Sequence, residues 1–90
     1  MRSFRELIRY WREHEGLSLS QAAARIGITK AHLWDLESGR ATNPTIRTLA
    51  RLASAYGADL PYLAGAAAKQ AAAIRDEHPT LDNQEQGDRT

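Results

Sequence analysis

The segment SLSQAAARIGITKAHLWDLESG, residues 18–39, decides the fold. Ser18 followed three residues later by Gln21 reads as a capping box, so a helix opens at about residue 19. It runs to about residue 26 and ends at Gly27, because a residue just past a helix commonly needs the left-handed conformation that glycine adopts cheaply. Thr29 then caps a second helix over about residues 30–38, which Gly39 closes. Ala23 is small enough for the two helices to cross closely, and Leu33 and Leu36 anchor the second against the first. The remaining face of that second helix carries Lys30, Ala31, His32, Trp34 and Asp35. This mixture neither packs well nor simply dissolves, which points to a binding role.

Working outward, Ser3 with Glu6 forms another capping box, and Phe4, Leu7, Ile8 and Trp11 recur at helical spacing. A helix over about residues 4–14 follows, closed by Gly16. After the loop RATNPT, Thr45 caps a helix over about residues 46–56, with Ile46, Leu49, Ala50, Ala53 and Tyr56 as its expected buried stripe. Gly57 ends it, Asp59 opens a fifth helix, and Pro61 is harmless in that first turn. The spacing predicts a compact all-α, five-helix domain over residues 1–65. Residues 66–90 divide into an Ala-rich segment, AAAKQAAAIRDEH, able to form a sixth helix, and a polar tail from Pro79 expected to be disordered.

Ninety residues, of which 42% are hydrophobic, suffice for one modest core. With no cysteine, disulfides, thiolate metal sites and a cysteine nucleophile are excluded. His14, His32 and His78 alone make a zinc site improbable. The charged N-terminus leaves no room for a signal peptide, and no apolar run approaches the roughly 20 residues of a membrane span. Residues 1–65 hold nine Lys/Arg against six Asp/Glu, and the rest three against five. A basic body with an acidic tail suits a polyanionic partner.

The two helices joined through Gly27-Ile28-Thr29 have the spacing of a helix-turn-helix. The chain resembles the Cro/repressor, or xenobiotic-response-element, type of helix-turn-helix regulators over about residues 4–65. The resemblance rests on RxxxGLS at residues 12–18, AxxxGIT at 23–29, LWDLESG at 33–39 and NPTIRTLARLASAYG at 43–57. It implies that helix 30–38 lies in the major groove while helix 19–26 crosses the backbone. Lys30, Ala31, His32, Trp34 and Asp35 are then the candidate base-reading residues: Lys30 for a guanine edge or a phosphate, Ala31 for a thymine methyl, Asp35 for a cytosine amino group. Ser18, Thr29, Arg40, Asn43, Thr45 and Arg47 are the candidate phosphate contacts, some through helix N-terminal amides. The resemblance also implies a largely buried salt bridge between Arg12 and Glu37.

Two positions depart from the family pattern. Leu19 stands where a long polar residue often clamps a phosphate, and Ala22 stands where a leucine is usual. Trp11 is expected to fill the volume that Ala22 leaves. For the fifth helix, Leu60 and Leu63 should face the core, leaving Pro61 and Tyr62 to a homodimer contact that Ala64, Ala67, Ala71 and Ile74 extend.

The expected function is a cytoplasmic, nucleoid-associated regulator, most simply a repressor, binding double-stranded DNA as a dimer on a pseudo-palindrome. It needs no cofactor or metal and has no membrane role. An antitoxin that orders residues 66–90 on a toxin, or a protein-interaction module on the same fold, are the alternatives. An enzyme is disfavoured because Asp35 and Glu37 face different directions and no base–nucleophile set exists.

Overall fold

In the computed structural model, residues 2–41 and 43–77 are described, and the expectations for residues from 78 onward lie outside them. Five helices follow in order: α1 (Phe4–His14), α2 (Leu19–Ile26), α3 (Lys30–Ser38), α4 (Ile46–Tyr56) and α5 (Leu60–Glu77). No strand occurs among the described residues. The helices close on one core, where Phe4, Ile8, Leu33, Leu36, Leu52 and Leu63 are fully buried.

The local signals act as caps and stops. Ser3 with Glu6, and Ser18 with Gln21, form complete reciprocal capping boxes, while Thr29 and Thr45 accept the amides of His32 and Thr48. Each cap stabilises its helix by about 1 kcal/mol. At the other ends, Leu17 N–H bonds back to the Arg12 carbonyl, Ile28 to Ala23 and Ala58 to Ala53. These bonds require the left-handed turns at Gly16, Gly27 and Gly57 that precede them.

Three expectations are corrected. Ile46 is 67% exposed, and Ala50 is also exposed. The inward stripe of α4 is Thr48, Leu49, Leu52 and Ala53. At about 100° per residue, Ile46 lies well off the centre of that stripe and opens the helix beyond its neighbours.

The separate sixth helix is the second correction. Residues 66–77 continue α5 through Gly65 without a break. A glycine inside a helix costs roughly 1 kcal/mol relative to alanine. Beyond it Ala67 is buried in the core and the flanking alanines favour helix, so the helix continues. Its second half also makes a contact within the chain: the Gln70 side chain accepts the Arg5 N–H at 3.1 Å, satisfying a free amide in the first turn of α1.

Third, Ala67, expected at a homodimer contact, is buried in the chain's own core, which leaves it little surface to offer a second copy. Ala64 also packs partly against that core.

Trp11 lies at the rim of the core, its ring tilted against Tyr56 with centroids 5.6 Å apart. Ala22 is fully buried. Leu19 turns partly into the core, so the apolar residue at the start of α2 serves packing.

Candidate nucleic-acid interface

The recognition candidate α3 has two faces of different kinds. Its inner face buries Leu33, Leu36 and Glu37. The Glu37 carboxylate accepts two hydrogen bonds from the Arg12 guanidinium, from Nε at 2.7 Å and Nη2 at 2.9 Å. Arg12 Nη1 also donates to the Leu17 carbonyl at 2.9 Å. One guanidinium thus fastens α1, the α1–α2 turn and α3 together. The bond to Glu37 raises the Arg12 pKa. The Tyr56 hydroxyl is buried with no hydrogen-bond partner among the described residues, and burial, followed by the Glu37 charge, pushes its pKa up to about 12.

The outer face of α3 presents Lys30, Ala31 and Trp34 to solvent, with the indole 48% exposed. His32 and Asp35 are half-buried. His32 turns towards α4, where it lines a shallow depression of about 270 Å³ together with Thr29, Arg47 and Arg51. Every ionisable side chain lining this depression is basic or imidazole, so it suits an anion. Asp35 faces Arg40 in the loop after α3, with Oδ1 3.8 Å from Nε.

The phosphate candidates are dispersed accordingly. Thr29 and Arg47 meet at the depression, while Ser18 is exposed at the start of α2 and does not line it. Asn43 and Thr45 are exposed between α3 and α4, and Arg40 is exposed beside Asp35. Pro61 and Tyr62 are exposed along a separate groove of about 670 Å³ between α5 and the start of α1. Ala71 is half-buried.

Two residues were missed from sequence. Arg51 Nη1 donates to the Gly27 carbonyl at 2.5 Å, bracing the α2–α3 turn from α4. Its spacing of four from Arg47 was the available signal, since i and i+4 share a helix face. Arg5 Nη1 donates to the Ser38 carbonyl at 3.3 Å and covers the end of α3. Nothing local to Arg5 marks that contact.

Two helices of eight and nine residues, joined by a tight left-handed turn and braced from α1 and α4, define a helix-turn-helix. The helix-turn-helix domain family matches residues 3–64, and the chain belongs to it. It is 46% identical over 52 residues to the HTH-type transcriptional regulator DdrOP3 of Deinococcus deserti, covering 58% of this chain and 40% of that protein. It is 32% identical over 57 residues to the HTH-type transcriptional regulator SlrR of Bacillus subtilis, covering 63% of this chain and 38% of that protein. The match thus spans about two-fifths of the length of either relative. Among the described residues no helix is long and apolar enough to cross a membrane.

Proposed function

We propose that the protein is a sequence-specific DNA-binding transcriptional regulator, acting in the cytoplasm as a repressor through α3 in the major groove. The observation that carries this reading is the two-sided α3. Its inner face is clamped by Leu33, Leu36 and the Arg12–Glu37 pair, so Lys30, Ala31 and Trp34 are held outward on a rigid element. A fixed helix with exposed donors, a methyl and an indole is suited to base edges. The Thr29–Arg47–Arg51 depression and the exposed Arg40, Asn43 and Thr45 would meet phosphates beside it, with Ser18 presenting the amides of α2. Both relatives carry the name of transcriptional regulators, which supports the same reading.

One recognition helix reads only a few base pairs, so we assign a two-fold dimer on a pseudo-palindrome with half-sites about one helical turn apart. Pro61 and Tyr62, exposed along the α1–α5 groove, are its contact. Selection of duplexes from a random pool, followed by affinity measured against salt, tests the function. A recovered palindrome and an affinity that falls steeply with salt are expected. Salt-independent binding, or no selected sequence, would overturn the reading. Sedimentation on the selected duplex should show two protomers per site; one would remove the dimer. Copurification of a protein that blocks DNA binding would favour the antitoxin alternative.

A further inference from the structure

An acidic side chain on a face meant for DNA is repelled by phosphate, so Asp35 needs a reason to be there. Its surroundings supply one. The carboxylate Oδ1 lies 3.8 Å from Arg40 Nε, an ion pair too long to be a hydrogen bond. The backbone carbonyl of Asp35 accepts the Ala41 N–H at 3.0 Å and the Ser38 hydroxyl at 3.4 Å. Between those anchors, Gly39 takes a left-handed turn at φ 85°. Asp35 therefore bounds the loop that carries Arg40 with its main chain and faces the guanidinium with its side chain. The Arg40 side chain is 74% exposed and that of Asp35 44%. Such a pair contributes little to folding stability, but it tightens when a bound surface excludes water.

We propose that Asp35 is a positioning residue that acts on DNA through Arg40, rather than a direct reader of a base. In the free protein the carboxylate lies nearest the Nε edge of the guanidinium, and among the described residues Arg40 donates no hydrogen bond, so Nη1 and Nη2 are available to a ligand. Two parallel donors match two adjacent acceptors, offered by guanine O6 and N7 or by two phosphate oxygens. The inference rests on the DNA-binding reading of α3 and changes what its acidic member does there.

A double-mutant cycle tests it. Dissociation constants are measured for the parent, Asp35→Ala, Arg40→Ala and the double variant. The targets are the duplex the parent selects and its single-base-pair substitutions. Asp35→Ala should weaken binding about tenfold when Arg40 is present and less than about twofold when it is absent. If the acceptors belong to guanine, both single variants lose discrimination at the same base pair. If they belong to a phosphate, Arg40→Ala weakens all duplexes alike and makes the salt slope shallower by about one unit. Equal Asp35→Ala penalties in both backgrounds would overturn the proposal. So would lost discrimination at a base pair that Arg40→Ala leaves intact. Thermal melts of the free variants should match the parent, because a solvent-screened pair at this distance contributes little to folding. A parent that binds no duplex would overturn the DNA-binding reading first and this inference with it.

Discussion

Helices α3 and α5 are fixed in place by different means. The nine residues of α3 are capped by Thr29, stopped by Gly39, and buried through Leu33, Leu36 and Glu37. Their hold includes a bidentate ion pair to α1, the Arg5 contact at Ser38, and the Arg51 brace on the turn before them. The eighteen residues of α5 bury Leu63 and Ala67, accept the Arg5 amide through Gln70, and include an alanine run of high helix propensity. An isolated nine-residue helix is marginal in water. The pointing of α3 is therefore fixed by ion-pair and hydrogen-bond clamps at its face and both ends, whereas α5 is held by apolar burial, one side-chain bond to α1 and its own helix propensity. A helix that must present one face reproducibly benefits from the first arrangement.

The sharpest way to break this contrast is Arg12→Ala. The change strands the Glu37 carboxylate, whose side chain is 1% exposed, and should cost about 3–5 kcal/mol in urea melts. The Arg9–Glu13 pair on the surface of α1 is the control, and Glu13→Ala should cost under about 1 kcal/mol. Similar losses from the two variants would mean that Glu37 is not a buried anchor.

Gly27→Ala probes the turn before α3. Its φ is 92°, which an L side chain adopts at a cost of roughly 1–2 kcal/mol, and a Cβ would meet Arg51 Nη1 at 2.9 Å. The turn should loosen along with the Arg51 brace, seen as faster amide exchange at Ile28. An unchanged melting temperature would show that Arg51 and the turn do not depend on each other.

The smallest expected effect has the opposite sign. Gly65 lies inside α5 with nothing within 4 Å of an added Cβ. Gly65→Ala should stabilise the protein by about 0.5–1 kcal/mol. A loss of stability would show that α5 needs a flexible point at residue 65, and the contrast with α3 would then have to be redrawn.

Much of this architecture was legible in sequence. The capping residues Ser3, Ser18, Thr29 and Thr45, and the stops at Gly16, Gly27, Gly39 and Gly57, act through bonds spanning only a few residues. They mark the first four helices without knowledge of the fold. Leu33 and Leu36, inward at a spacing of three, likewise separated the two faces of α3. The expected separation of residues 66 onward from the fifth helix fails because a helix runs through a glycine where the chain gains by continuing. What it gains is visible only once α1 lies alongside, offering the Arg5 amide to Gln70 across 65 residues of sequence. The inward turn of Ala67 and the exposure of Ile46 have the same origin. Local hydrogen bonding determines where a helix begins and stops. Which of its sides meets another helix depends on long-range packing that only the tertiary structure decides.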